Sequence, residues 1–219
     1  MKIPSVALVA FRVACHSTRG ERGAGLIEVM VAIVVLSIGL LGIAGLQAAT
    51  TKYKINTWSR SAASQLVSDL SERIRINPDV AGSNFTTGVA SASSYALNST
   101  WAAQAGLPAI DKDCAKPAIA CTTAERATYD MAFWRQRVRA ALPQGAANVA
   151  GDKRDGFQVT LMWMDTEATD KGKSADSALV KPAICQGTEK GMAQQTCCPA
   201  EAGVDNVAGV RCARFSFIP

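Results

Sequence analysis

The sequence predicts an α+β protein: one long N-terminal helix, apolar enough in its first half to cross a membrane, packed by its second half on a small sheet with a disulfide-stapled C-terminal region. Three observations predict it. Residues 29 to 51 carry no charge, helical periodicity continues from there to Asn77-Pro78, and six of the seven cysteines lie beyond residue 110, where short alternating segments replace the helical pattern. At 219 residues and 48% hydrophobic content the chain can hold one ordinary core and an appendage.

In the first segment, Lys2 precedes an apolar stretch from Ile3 to Ala14 interrupted by Arg12, and Ser17 to Arg22 is polar and basic. That flank is cytoplasmic by the positive-inside bias, although Lys52, Lys54 and Arg60 beyond the span make the bias modest. As a helix the uncharged run is roughly 34 Å long, enough for the hydrocarbon layer. Glu28 stands at its mouth. An unpaired charge there costs several kcal/mol, so a partner is expected. Gly39, Gly42 and Gly45 recur every three residues. Two compatible readings follow: close packing of helices in lipid, and a stretch that melts locally, since each glycine weakens a helix by up to about 1 kcal/mol.

Nothing breaks the helical pattern before Asn77-Pro78, so a single helix is expected from about Ala24 to Ile76, roughly 80 Å long. In its second half Trp58, Ala62, Leu66, Leu70 and Ile74 recur every four residues with Val67 beside them, while Arg60, Ser64, Ser68, Ser71 and Arg75 lie elsewhere. Asp69 and Arg73 form an i,i+4 pair in the favourable order. Pro78 to Lys112 reads as an irregular connection with one short helix near Trp101. Thr122 and Glu125 make a capping box, opening a helix with Ala127, Met131, Trp134, Val138 and Ala141 on one face that stops at Leu142-Pro143. From Phe157 to Asp165 the chain alternates, with Phe157, Val159, Leu161 and Trp163 inward and Gln158, Thr160, Met162 and Met164 outward; Ala213, Phe215 and Phe217 suggest a second strand.

Several function classes are excluded or disfavoured. The net charge of +5 owes more than half its excess to residues 1–23, which leaves no electrostatic footprint for nucleic acid, and Arg135, Arg137 and Arg139 read as a solvated helix face. His16 is the only histidine, so no Ser-His-Asp or Cys-His arrangement is available beyond the first 23 residues, and no Asp/Glu spacing singles out an acid and base. No CxxC pair is present and the neighbours Cys197 and Cys198 lack zinc-ligand spacing, so no metal and no cofactor are expected. Gly172-Lys173-Ser174 resembles the end of a phosphate loop, but Glu167 occupies the place of its first glycine. Asn84-Phe85-Thr86 and Asn98-Ser99-Thr100 match a glycosylation pattern short enough to arise by chance.

A basic stretch ending in Gly23, then Ala24-Gly25-Leu26-Ile27-Glu28, then about twenty apolar residues resembles the type IV prepilin pattern. LSIGLLGIAGLQ, SDLSERIRINP, WRQRVRAALPQG and FQVTLMWMD, in this order, are similar to the PilV group of type IV pilus minor pilins. The resemblance implies a type IV pilin-like fold, with the long helix on a small antiparallel sheet, and the segments 1–23 (leader), 24–51 (transmembrane and filament-core half of the helix), 52–77 (amphipathic half) and 78–219 (globular head). It implies cleavage by a prepilin peptidase after Gly23, N-methylation of Ala24, and pairing of Glu28 with the N-terminal amine of a neighbouring subunit. It further implies a single-pass inner-membrane protein, N-terminus cytoplasmic and head periplasmic, that later joins an extracellular pilus. The partners implied are other minor pilins, the major pilin, the assembly platform, a tip adhesin and inner-membrane lipid. The role implied is non-enzymatic: a structural subunit that primes or caps the pilus. Three departures stand out: Ala24 where most members have phenylalanine, Gly45 near the place of a proline, and a long leader that points to a translation start near Val13. A minor pseudopilin of a type II secretion system and a membrane-anchored adhesin or binding module are the alternatives.

The even set of cysteines beyond the span predicts three disulfides in an oxidising compartment. Cys114 is expected to bond Cys121 in a short loop. Adjacent cysteines rarely bond each other, so Cys185 and Cys212 are expected to take Cys197 and Cys198 between them, in either assignment.

Overall fold

The computed structural model describes residues 25–82, 92–169 and 178–219. The leader with Gly23 and Ala24, the triplet Gly172-Lys173-Ser174 and the first glycosylation pattern lie outside them. The elements are α1 (Leu26–Ile76), α2 (Thr123–Ala141), β1 (Ala146–Asp152), β2 (Gly156–Met164), α3 (Met192–Thr196) and β3 (Val210–Phe217), with single 3-10 turns at Pro78–Val80, Ala102–Gln104 and Ala200–Ala202. The chain divides into two units after Ala48.

In the first unit the helix is apolar on every side and exposed on every side. Residues Leu26–Thr51 have a mean hydropathy of 2.7 and are 0% buried. The helix runs unbroken through Gly39, Gly42 and Gly45, and a Cβ at any of the three would meet nothing within 4 Å. These glycines are therefore not required by the packing of the subunit on itself.

In the second unit the buried face of α1 is Ser59, Ala63, Leu66, Val67, Leu70, Ser71 and Ile74. This corrects the four-residue stripe expected above. A helix turns about 100° per residue, so four-residue steps drift by about 40° each and place Trp58 about 160° from Ile74. Trp58 is accordingly 57% exposed, while Ser59 and Ser71 are buried. Against this face α2 brings Ala127, Met131, Trp134 and Val138. The Trp134 indole N–H donates to the Leu66 carbonyl at 2.8 Å, tying the two helices at their middles.

The α2 start is a full capping box. The Thr122 hydroxyl accepts from the Glu125 N–H at 3.2 Å and the Glu125 carboxylate accepts from the Thr122 N–H at 2.8 Å. Lys112 also donates to Glu125 at 2.8 Å. The bond from Lys112, then the bonds from Thr122, hold the Glu125 carboxyl down at about 2, against an ordinary 4.5. With the folded value below the unfolded one, this contribution is complete above pH 4.5 and is lost as the pH falls through 2. We expect the midpoint of thermal unfolding, followed by circular dichroism, to be higher for the parent than for Glu125→Gln at neutral pH, and the difference to close as the pH approaches 2.

β1 and β2 form a hairpin in the register Ala146↔Met162 to Asp152↔Gly156, and β2 pairs antiparallel with β3 from Phe157↔Phe217 to Met164↔Val210, so β2 is central. The hairpin turn is held by Asp152, whose carboxylate accepts from the N–H groups of Arg154 and Asp155 at 2.8 and 2.9 Å. Gly151 lies at φ +99°, and a Cβ there would sit 2.1 Å from the Gly156 carbonyl oxygen, so only glycine fits. β1 was not anticipated from the sequence.

The odd-numbered face of β2 (Phe157, Val159, Leu161, Trp163) closes the main core with Ala147, Val149 and Ala213 over α1 and α2. The even-numbered face differs from expectation, because Met162 is fully buried rather than outward. Cys198, Ala202 and Val204 cover the sheet face carrying Ala146, Met162, Val210 and Cys212, forming a second, smaller core. Its covering segment is fixed by the bonds Cys185–Cys197 and Cys198–Cys212, and a third bond joins Cys114 to Cys121.

Candidate functional site

Glu28 lies exposed in the first turn of α1, where the Gly25 carbonyl accepts from the N–H groups of Glu28 and Val29 at 2.9 and 3.2 Å. A carboxylate in the first turn is favoured by the partial positive charge of the free N–H groups. Leu26, Ile27, Val29 and Met30 around it are all exposed. The arrangement is one acid at the head of a helix that has no apolar surface of its own to bury against. Such a helix needs lipid or other helices on every side.

Where α1 ends, a buried polar network joins it to α2. Arg73 donates to Asp69 at 3.2 Å and to Asp130 at 2.9 Å, and its guanidinium lies 5.0 Å from the centre of the Phe133 ring. Burial lowers the pKa of Arg73, but the bonds to Asp69 and Asp130 outweigh it and the net shift is upward. The Tyr95 hydroxyl accepts from Asn77 at 3.0 Å and donates to Asp130 at 3.3 Å; burial first, and the neighbouring Asp130, push its pKa up to about 12. Asn77 also donates to the Thr123 carbonyl at 2.8 Å, which ties the end of α1 to the start of α2.

Of the basic cluster on α2, Arg137 is exposed as expected, whereas Arg135 and Arg139 are half-buried. Arg137 pairs with Asp69 at 3.0 Å, and Arg139 donates to the carbonyls of Gln104 and Ala105 at 3.3 and 2.6 Å. Burial lowers the pKa of Arg135, whose Nε finds no acceptor. Arg137 thus ties α1 to α2, and Arg139 ties the connection to it.

The second face of the sheet is only half covered. Beyond the apolar row lies a polar one, Asn148, Thr160 and Arg214, aligned across all three strands, followed by Ala150, Gln158 and Ser216. These rows floor a groove of about 440 Å³ walled by Pro199, Ala200 and Glu201. Arg214 donates to Gln158, to the Gln194 carbonyl at 3.4 Å and to the Cys185 sulfur at 2.9 Å. Asn148 Nδ2 and Arg214 Nε are buried donors without an acceptor, a cost of about 1–3 kcal/mol each. Sequence reasoning missed this floor. The signal was Arg214 standing in phase with Cys212, on the face opposite Ala213 and Phe215. Among the described residues no group of three His, Cys, Asp or Glu could hold a metal ion.

Residues 45–132 match the family model of the type IV pilin Tt1218, and residues 18–44 match the prokaryotic N-terminal methylation motif. No curated protein and no solved structure matches the chain. The two matches adjoin, the second covering Gly23, Ala24 and Glu28 and the first running through the amphipathic half of α1 into α2. The sheet and the segments carrying Cys185 to Cys212 lie beyond them. A methylation motif implies processing by a prepilin peptidase, and with the apolar helix it implies residence in a membrane and then in a pilus. The chain is a type IV pilin-like subunit with an N-terminal methylation motif, structural and not enzymatic.

Proposed function

We propose that this subunit is a minor pilin of the PilV group, which primes or caps a type IV pilus with other minor pilins. The observation that carries the reading is where the segments bearing the resemblance fall. SDLSERIRINP supplies Asp69, Arg73 and Asn77, and the segment WRQRVRAALPQG supplies Arg137 and Arg139, so those segments build the junction of α1 with α2. In this reading residues 1–23 are removed after Gly23, and Ala24 is N-methylated. Residues 24–51 pass from the inner membrane to the filament core, 52–77 carry the head, and 78–219 form it. The head faces the periplasm, and the major pilin, the assembly platform and a tip adhesin are the further partners.

Glu28 pairs with the amine of a neighbouring Ala24. Such a pair loses hydration as it gains Coulomb energy, so it sets register more than it adds affinity. The test is the N-terminal residue and mass of the mature chain from membranes or sheared pili. We expect N-methylalanine corresponding to Ala24, absent when the prepilin peptidase gene is deleted. An intact leader, or a start elsewhere, would overturn the processing. Deleting the gene for this subunit is expected to abolish or reduce piliation; lost protein secretion with normal piliation would make it a pseudopilin instead.

A further inference from the structure

We propose that the uncovered half of the second sheet face is a docking groove for a single acidic side chain presented by a neighbouring subunit. The floor is built by register, not by chance proximity, since Asn148, Thr160 and Arg214 are direct cross-strand partners. Thr160 and Asn148 are 3% and 8% exposed, so these polar groups are held in place by the fold rather than by solvent.

The floor is rich in donors and short of acceptors. Asn148 Nδ2 and Arg214 Nε have none, and Arg214 Nη2 is met by the neutral amide oxygen of Gln158. Among the described residues no carboxylate forms an ion pair with Arg214; Glu189 feels its charge but is held by the N–H groups of Gln186 and Gly187. A second groove of about 370 Å³, lined by Gln194, Gln195 and Ser216, shares Gln158 and Arg214 with the first, so Arg214 stands between two open volumes.

A carboxylate fits this set because it offers acceptors only and matches the planar fork of a guanidinium. That the acid arrives on a neighbouring subunit rests on the assembly reading above. The carboxylate selectivity of the floor does not, and the N-terminal mass measurement judges the assembly reading separately.

The test uses the full chain in detergent micelles with ¹⁵N-labelled arginine, following the Arg214 Nε–H resonance during titration. The probes are N-acetylglutamate N-methylamide, its glutamine counterpart and glucuronate. The glutamate probe is expected to give a saturable shift, at least tenfold weaker with the glutamine probe, and Asn148→Ala is expected to weaken binding threefold or more. Gln158→Ala removes an exposed competing acceptor without touching a core, and is expected to tighten binding about threefold. Equal response to the glutamate and glutamine probes, or no change in Gln158→Ala and Asn148→Ala alike, would overturn the groove. Tighter saturation by glucuronate than by the glutamate probe would overturn the subunit as its occupant and assign a free acidic sugar.

Discussion

Trp134→Ala is expected to lower the unfolding free energy by about 3 to 5 kcal/mol. Trp134 is fully buried where α1, α2 and the odd face of the sheet meet, and the backbone of α1 receives its indole N–H at Leu66. Truncation removes the largest payload of apolar contact at that junction and leaves a cavity lined by three elements, none of which can move in without leaving another. Trp134→Phe separates the two contributions, because it keeps most of the ring volume and removes the hydrogen bond; a loss of about 1 to 2 kcal/mol is expected. Denaturant unfolding of the full chain in micelles, followed by near-ultraviolet circular dichroism, measures both. A loss below about 1 kcal/mol for the alanine variant would mean that α2 does not anchor α1.

The second large effect is at the end of α1. Arg73→Met is expected to cost about 3 to 5 kcal/mol, because it strands a buried carboxylate. Asp130 is only 6% exposed and would keep the Tyr95 hydroxyl as its one remaining partner among the bonds described. Asp69 suffers less, since Arg137 still reaches it at 3.0 Å. The double variant Arg73→Met/Asp130→Leu is expected to recover most of the loss: both charges are gone together, and Asn77 still donates to Tyr95. A double variant as unstable as the single one would show that the network stabilises through Tyr95 and Asn77 rather than through the ion pair.

The parts of the fold legible in the sequence are those set by local rules. The ends of α1 follow from an uninterrupted run and from Pro78, and the start of α2 follows from Thr122 and Glu125, whose reciprocal bonds need nothing distant. The parts that were not legible depend on what packs from elsewhere. β1 is AANVAGD, a run of small residues with one β-branched side chain, and it becomes a strand because β2 offers a ladder and two glycines allow the turn. Met162 looked solvent-facing because alternation cannot say that a second layer covers the other face. Arg137 and Arg139 looked like a charged surface because their partners, Asp69 and the carbonyls of Gln104 and Ala105, lie far away along the chain. For the site, the roles proposed for Gly23, Ala24 and Glu28 come from the resemblance to prepilins, while Asn148 and Arg214 gain meaning only from a strand register.

The neighbouring cysteines have a consequence for how the bonds of this chain are identified. Cys197 and Cys198 take different partners, Cys185 and Cys212, and they do so from different environments, Cys197 beside Arg214 and Cys198 within the smaller core. Exchanging the two partners shifts each link by one residue and leaves the molecular mass unchanged. The swapped isomer would also carry three bonds and expose no additional thiol to alkylating reagents, yet it would present the wrong sulfur to β3. The two pairings are therefore told apart by mapping the linked peptides and not by mass.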